Sequence, residues 1–255
     1  MIHKRISTDV SVIIAVVGIL LTAACERADK NGNQAENLSD QQTAHLDQNI
    51  GATPPSTPSP ATNHQQSSAL TLVMLGDSLT AGFGLREADT PPAQIEDRLR
   101  EKSLNVNVIN AGVSGDTSAG GLARFDWSVG AAMPDVLLIA LGANDYLGGV
   151  PPGKTRQNLT AIIERAKTSN AVIVLVGIQP RTSATADPRG AAFGAIYPDL
   201  ADQFNIHLFP AMLEGVRDNP ALLQADGLHP NTEGAAVIAE NLTEFLTPLI
   251  KSASK

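Results

Sequence analysis

The chain has 255 residues, of which 18 are Lys or Arg and 26 are Asp or Glu, giving a formal net charge of −8. That balance, with an aromatic share of only 4%, argues against a basic, base-stacking nucleic-acid surface, so no nucleic-acid partner is expected. A single cysteine, Cys25, excludes an internal disulfide, and there is no Cys/His cluster with zinc spacing.

The N-terminus reads as a targeting segment. Lys4 and Arg5 precede an apolar run from Val10 to Leu21, broken only by Ser11 and Gly18. The run is short for a membrane span of about 20 residues and suits a signal-peptide core. Ala23 and Ala24 lead into Cys25, which resembles a bacterial lipobox, although Thr22 stands where Leu is preferred. The resemblance implies a signal over residues 1–25, lipid on Cys25 and a membrane anchor. With Glu26 next, it implies export to the periplasmic side of the outer membrane. Cleavage near Ala24 without lipid, or an uncleaved anchor, are the other readings.

Residues 26–69 are rich in Asn, Gln, Asp, Ser, Thr and Pro, with Pro54, Pro55, Pro58 and Pro60 close together. Leu38, Leu46 and Ile50 are too sparse to build a buried face. The expectation is a disordered linker, because such composition cannot offset the entropy of ordering.

From Leu70 the texture changes, and one domain is expected over residues 70–251. Apolar runs of strand length recur at Leu72–Leu75, Val106–Ile109, Val136–Leu141 and Val172–Val176, with a weaker one at Ile206–Phe209. Helical patterns alternate with them. One starts over Pro92 to Arg100 with proline in its first turn, and one puts Leu159, Ile162, Ile163 and Ala166 on a single face. A third covers Ala191 to Phe204 with a break expected at Pro198, and a last covers Glu233 to Leu249. Continuous apolar strands alternating with helices predict an α/β fold: a three-layer α/β/α, doubly wound parallel sheet. In such sheets the site lies beyond the carboxyl ends of the strands.

Three segments follow strand ends. Gly76-Asp77-Ser78-Leu79 would thrust a serine from the sheet edge, although the same residues make a good turn or cap. Asn110 to Thr117 carries glycines that let a backbone N–H approach a ligand. Leu141-Gly142-Ala143-Asn144-Asp145 could aim an Asn amide into the site, or be a plain turn. A fourth segment, Asp226-Gly227-Leu228-His229-Pro230, sits late in the chain. A histidine three residues after an aspartate can take an orienting carboxylate on one ring nitrogen and act as base through the other. The remaining histidines are weaker candidates: His207 reads as a core residue of an apolar strand, His45 and His64 fall in the linker, and His3 in the signal.

In order and spacing these segments resemble the GDSL/SGNH hydrolases, and within them the bacterial thioesterase I/lysophospholipase-like arylesterases. The resemblance covers roughly residues 70–250. It includes Met74 to Gly82, Ser114 to Ser118, Gly121 to Arg124, Leu141 to Asp145, Ile196-Tyr197-Pro198 and Asp226 to Asn231. Two departures stand out: Ala143 replaces a frequent second glycine, and Ile178 to Gly190 is a variable loop region. The resemblance implies a flavodoxin-like fold and hydrolysis of carboxylic esters or thioesters, on small-molecule or lipid ester substrates, with no metal or organic cofactor. It implies Ser78 as nucleophile, His229 as base and Asp226 as orienting carboxylate. The oxyanion would be held by the backbone N–H groups of Ser78 and Gly115 and by the Asn144 amide. A carbohydrate acetylesterase on the same fold is the main rival. A non-catalytic binding module is a further one, disfavoured because Ser78, Gly115, Asn144, Asp226 and His229 are all present.

Overall fold

The computed structural model describes residues 69–179 and 187–254. The expected signal, Cys25 and the linker up to Ser68 lie outside the described residues. In chain order the elements are β1 (Leu70–Gly76), α1 (Ser78–Ala81), α2 (Pro91–Glu101), β2 (Val106–Gly112), α3 (Ser118–Ala123) and α4 (Phe125–Ser128). They continue with β3 (Val136–Ala140), α5 (Ala143–Leu147), α6 (Pro152–Ala166), β4 (Val172–Val176), α7 (Pro188–Phe204), β5 (His207–Phe209) and α8 (Thr232–Ala253).

The five strands form one sheet in the order β2-β1-β3-β4-β5, with every neighbouring pair parallel. Successive strand residues feed opposite layers. Leu72, Met74, Leu138 and Val174 pack with Ile95 and Leu99 of α2 and with Leu242 and Leu246 of α8. Val73, Leu75, Leu137, Ile139 and Leu175 pack on the other side with Leu159 and Ile163 of α6 and Phe193 and Leu200 of α7. Both faces of the central strands are therefore covered, which is why those strands are apolar at every position. Strand order reverses at β1, with β2 on one side and β3 on the other. In this fold the crevice at that reversal is where ligands bind.

Three local expectations are corrected. The helix α7 is not broken at Pro198 but runs through it. Pro198 faces solvent, so water can serve the carbonyl it leaves unbonded. Phe193, Ile196, Tyr197 and Leu200 meanwhile hold the helix to the core on both sides of it. His207 is not a core residue; it is exposed at the start of the three-residue edge strand β5. The loop expected from Ile178 to Gly190 ends earlier, because Pro188 already opens α7; residues 180–186 lie outside the described residues.

Candidate active site

Ser78 stands on the first turn after β1. The Asp77 side chain caps that turn, its Oδ1 accepting the Leu79 N–H at 3.0 Å. This fixes the direction of the Ser78 side chain without involving its hydroxyl. Asp77 is 3% exposed, and burial raises its carboxyl to about 6, against the pull of the Leu79 N–H and His229.

His229 arrives on the loop before α8. Asp226 organises that loop. Its Oδ1 accepts the backbone N–H of Leu228 at 2.9 Å and of His229 at 3.0 Å, and its Oδ2 lies 2.7 Å from His229 Nδ1. The side-chain bond to His229, then these backbone bonds, lower the Asp226 carboxyl to about 2. An anion there assigns the Nδ1 proton to the aspartate side and leaves Nε2 as the acceptor. Nε2 lies 2.9 Å from Ser78 Oγ. Residues 151 positions apart thus meet in a hydrogen-bonded series of carboxylate, imidazole and hydroxyl.

Gln224 joins the two halves of this series. Its Nε2 donates to the Phe83 carbonyl at 2.7 Å, beyond α1, and to the Pro230 carbonyl at 2.8 Å, beside His229. The Phe83 ring lies against the imidazole with centroids 4.5 Å apart.

Gly115 sits on the loop after β2, and Asn144 lies in the first turn of α5, directly after β3. Gly115 has φ +85°, a backbone state that disfavours other residues. Gly142 has φ +118°, and a Cβ there would come within 2.2 Å of the Tyr197 hydroxyl, which donates to the Leu141 carbonyl at 2.9 Å. That glycine lets β3 turn into α5 and present Asn144. The Asn144 amide donates to the Asp116 carbonyl at 2.9 Å, tying the start of α5 to the loop that carries Gly115. An amide nitrogen carries two hydrogens, so this bond uses one of them.

Two buried charges brace these loops. Arg124 donates from Nε to Asp116 Oδ2 at 2.6 Å and from Nη2 to the Gly76 carbonyl at 2.9 Å, linking the Gly115 loop to the end of β1. Asp145, 1% exposed, accepts the Ser118 N–H at 2.7 Å, the Ser118 hydroxyl at 2.5 Å and the Thr155 hydroxyl at 3.0 Å. The sequence motifs contain Arg124 and Asp145 without marking a role for either, and Gln224 lies outside them. For Asp145 the signal was present in principle: a carboxylate directly after a buried strand must find donors.

Chain neighbours of Ser78, Asn144 and His229 (Leu79, Ala143 and Leu228) line a cavity of about 260 Å³, together with Tyr146, Leu147 and Leu213 among others. Its surface is mainly apolar and suits a hydrocarbon chain.

A serine, a histidine and an aspartate in this series, at the carboxyl edge of a doubly wound sheet, have the geometry of a serine hydrolase site. The chain belongs to the GDSL-like lipase/acylhydrolase family, whose sequence profile matches residues 74–237. It is 37% identical to the esterase TesA of Pseudomonas aeruginosa over 187 residues, covering 73% of this chain and 92% of that protein. It is 39% identical to thioesterase 1/protease 1/lysophospholipase L1 of Escherichia coli K12 over 185 residues, covering 72% and 86%. Among solved structures it is similar to the psychrotrophic esterase EstA from Pseudoalteromonas sp., in a form inhibited by monoethylphosphonate. That match has a TM-score of 0.66 and 30% identity, over 71% of this chain and 98% of that one.

Proposed function

We propose that the protein is a serine ester hydrolase that cleaves carboxylic esters or thioesters through an acyl-enzyme. The observation that carries this reading is the hydrogen-bonded series Asp226–His229–Ser78. His229 Nε2 takes the Ser78 proton as Oγ attacks the acyl carbonyl carbon. The oxyanion is held by the N–H groups of Ser78 and Gly115 and by the Asn144 amide. The imidazolium then gives its proton to the departing alkoxide or thiolate. Water repeats the sequence on the acyl-serine and frees the acid. The names of the relatives support esters and thioesters as substrates, and the apolar cavity favours an acyl chain over the acetyl group of an acetylated sugar.

The test is kcat/KM on a short water-soluble ester as a function of pH. Protonated Nε2 cannot accept the serine proton, so the rate falls on the acid side of a profile measured over the range of about pH 5–8. Asp226, held at about 2, stays ionised throughout that range. Asp77, at about 6, titrates inside it, so the variant Asp77→Asn is measured in parallel. The acid limb persists in that variant if His229 is the base. A flat wild-type profile, or a limb that vanishes with Asp77, overturns the assignment.

We propose further that residues 1–25 are an export signal, that Cys25 is lipidated, and that residues 26–69 are a spacer between a periplasmic-side membrane anchor and the domain. Cys25→Ser is expected to abolish lipid labelling and membrane attachment while leaving kcat on a short soluble ester unchanged. Fractionation, metabolic lipid labelling and an ester assay check this. A wild type that takes up no lipid removes the anchor from the proposal.

A further inference from the structure

One wall of the cavity is held by more than packing. Tyr146, on α5, lines the cavity. Its ring meets Phe193 of α7 edge-on, with centroids 5.4 Å apart and planes at 72°. The Arg189 guanidinium lies over the same ring at 4.9 Å. The Tyr146 hydroxyl donates to Asp187 Oδ2 at 2.5 Å. Arg189 Nη2 in turn donates to the Tyr146 carbonyl at 2.7 Å, and to the carbonyls of Asp145 and Val150 at 3.2 Å each. The ring, hydroxyl and backbone of one cavity residue are therefore each tied to the start of α7.

A tyrosine held only by apolar contact could change rotamer and let a longer ligand pass. Here a rotation would break the bond to Asp187 and unstack the ring from a cation at the same time. The arginine also fixes the backbone from which the ring projects. We propose that Tyr146, locked by Arg189 and Asp187, is a rigid stop that sets the length of acyl chain the site accepts, with Arg189 as the positioning residue that acts through it. This rests on the reading of the protein as an ester hydrolase, with the acyl chain in this cavity.

The test compares kcat/KM for p-nitrophenyl butyrate and decanoate in the purified full chain. Tyr146→Ala is expected to raise the decanoate-to-butyrate ratio by about tenfold or more, the scale of discrimination attached to a methylene group in an apolar pocket. Arg189→Ala is expected to shift the ratio in the same direction by less, because the ring remains but can swing. The double variant should match Tyr146→Ala alone, since the arginine acts only through the ring. A purely structural clamp would lower both rates together and leave the ratio where it was. Tyr146→Leu, which keeps an apolar wall but loses the length of the ring and its hydroxyl, serves if the alanine variant does not fold, and its ratio should rise as well. An unchanged ratio in folded Tyr146 variants, or a double variant whose ratio is the product of the two single shifts, overturns the proposal. A wild type inactive on both esters overturns the hydrolase reading and this one with it. An active wild type with unmoved ratios overturns only the stop.

Discussion

Ser78→Ala is expected to lower kcat on the order of 10⁶-fold, the scale set by removing the nucleophile from a Ser–His–Asp series. The fold should survive it. The turn that carries Ser78 is capped by Asp77, not by the serine hydroxyl, whose bond is to His229. The Ser78 carbonyl still accepts the N–H groups of Gly82 and Phe83 in an alanine variant. A stability change within about 0.5 kcal/mol is expected, as for substitutions that disturb neither core nor cap. A fluorophosphonate should label the wild-type protein at Ser78 alone. Ser118 is the informative control, since its hydroxyl is also bonded to a carboxylate, Asp145. Among the described residues no imidazole bonds it to take its proton, and it is fully buried. Labelling mapped by peptide mass spectrometry, with thermal melts of both proteins, checks these outcomes. Label at Ser118, or near-normal turnover in the variant, overturns the mechanism.

The residues proposed to carry the chemistry were legible in the sequence because each sits on a short motif at a strand end or just before the last helix. Ser78, Asp226 and His229 could be named from spacing and family resemblance, and the layered sheet from strands apolar at every position. The braces were not legible in the same way. Arg124 reaches the Gly76 carbonyl across 48 positions, and Gln224 reaches the Phe83 carbonyl across 141. Such bonds end on backbone oxygens, which every residue has, so no pattern of residue types announces them. Local rules also failed where tertiary packing outweighed them. Pro198 would end an isolated helix, but Tyr197 and Leu200 keep it on the core. His207 follows an apolar residue and precedes two more, yet a three-residue strand at the sheet edge leaves it exposed.

Asn144→Ala is expected to reduce kcat by roughly 10²–10³-fold, or about 2.7–4 kcal/mol of transition-state stabilisation, with little change in KM. The reason is that an oxyanion donor gains most when the carbonyl oxygen acquires charge, not when substrate first binds. The same amide also donates to the Asp116 carbonyl, so its removal loosens the Gly115 loop as well as deleting a donor. The two effects can be separated. That loop is secured independently by Arg124, which bonds the Asp116 side chain, and by Asp145, which bonds Ser118 just beyond it. Asp116→Ala removes the Arg124 tie and leaves the Asn144 amide in place. If Asn144 works mainly as a donor to the oxyanion, Asp116→Ala should cost far less than Asn144→Ala in kcat. If the two losses are equal, Asn144 acts by holding the loop, and the oxyanion is served by backbone N–H groups alone. If Asn144→Ala instead raises KM and spares kcat, the amide binds ground-state substrate. Steady-state kinetics of the three proteins on one short ester distinguish these results. A melting temperature lowered by only a few degrees in Asn144→Ala would keep global unfolding out of the comparison, because one lost hydrogen bond is worth about 1 kcal/mol. Asp116→Ala leaves the buried Arg124 without its carboxylate, is expected to cost about 3–5 kcal/mol, and is assayed well below its own melting temperature.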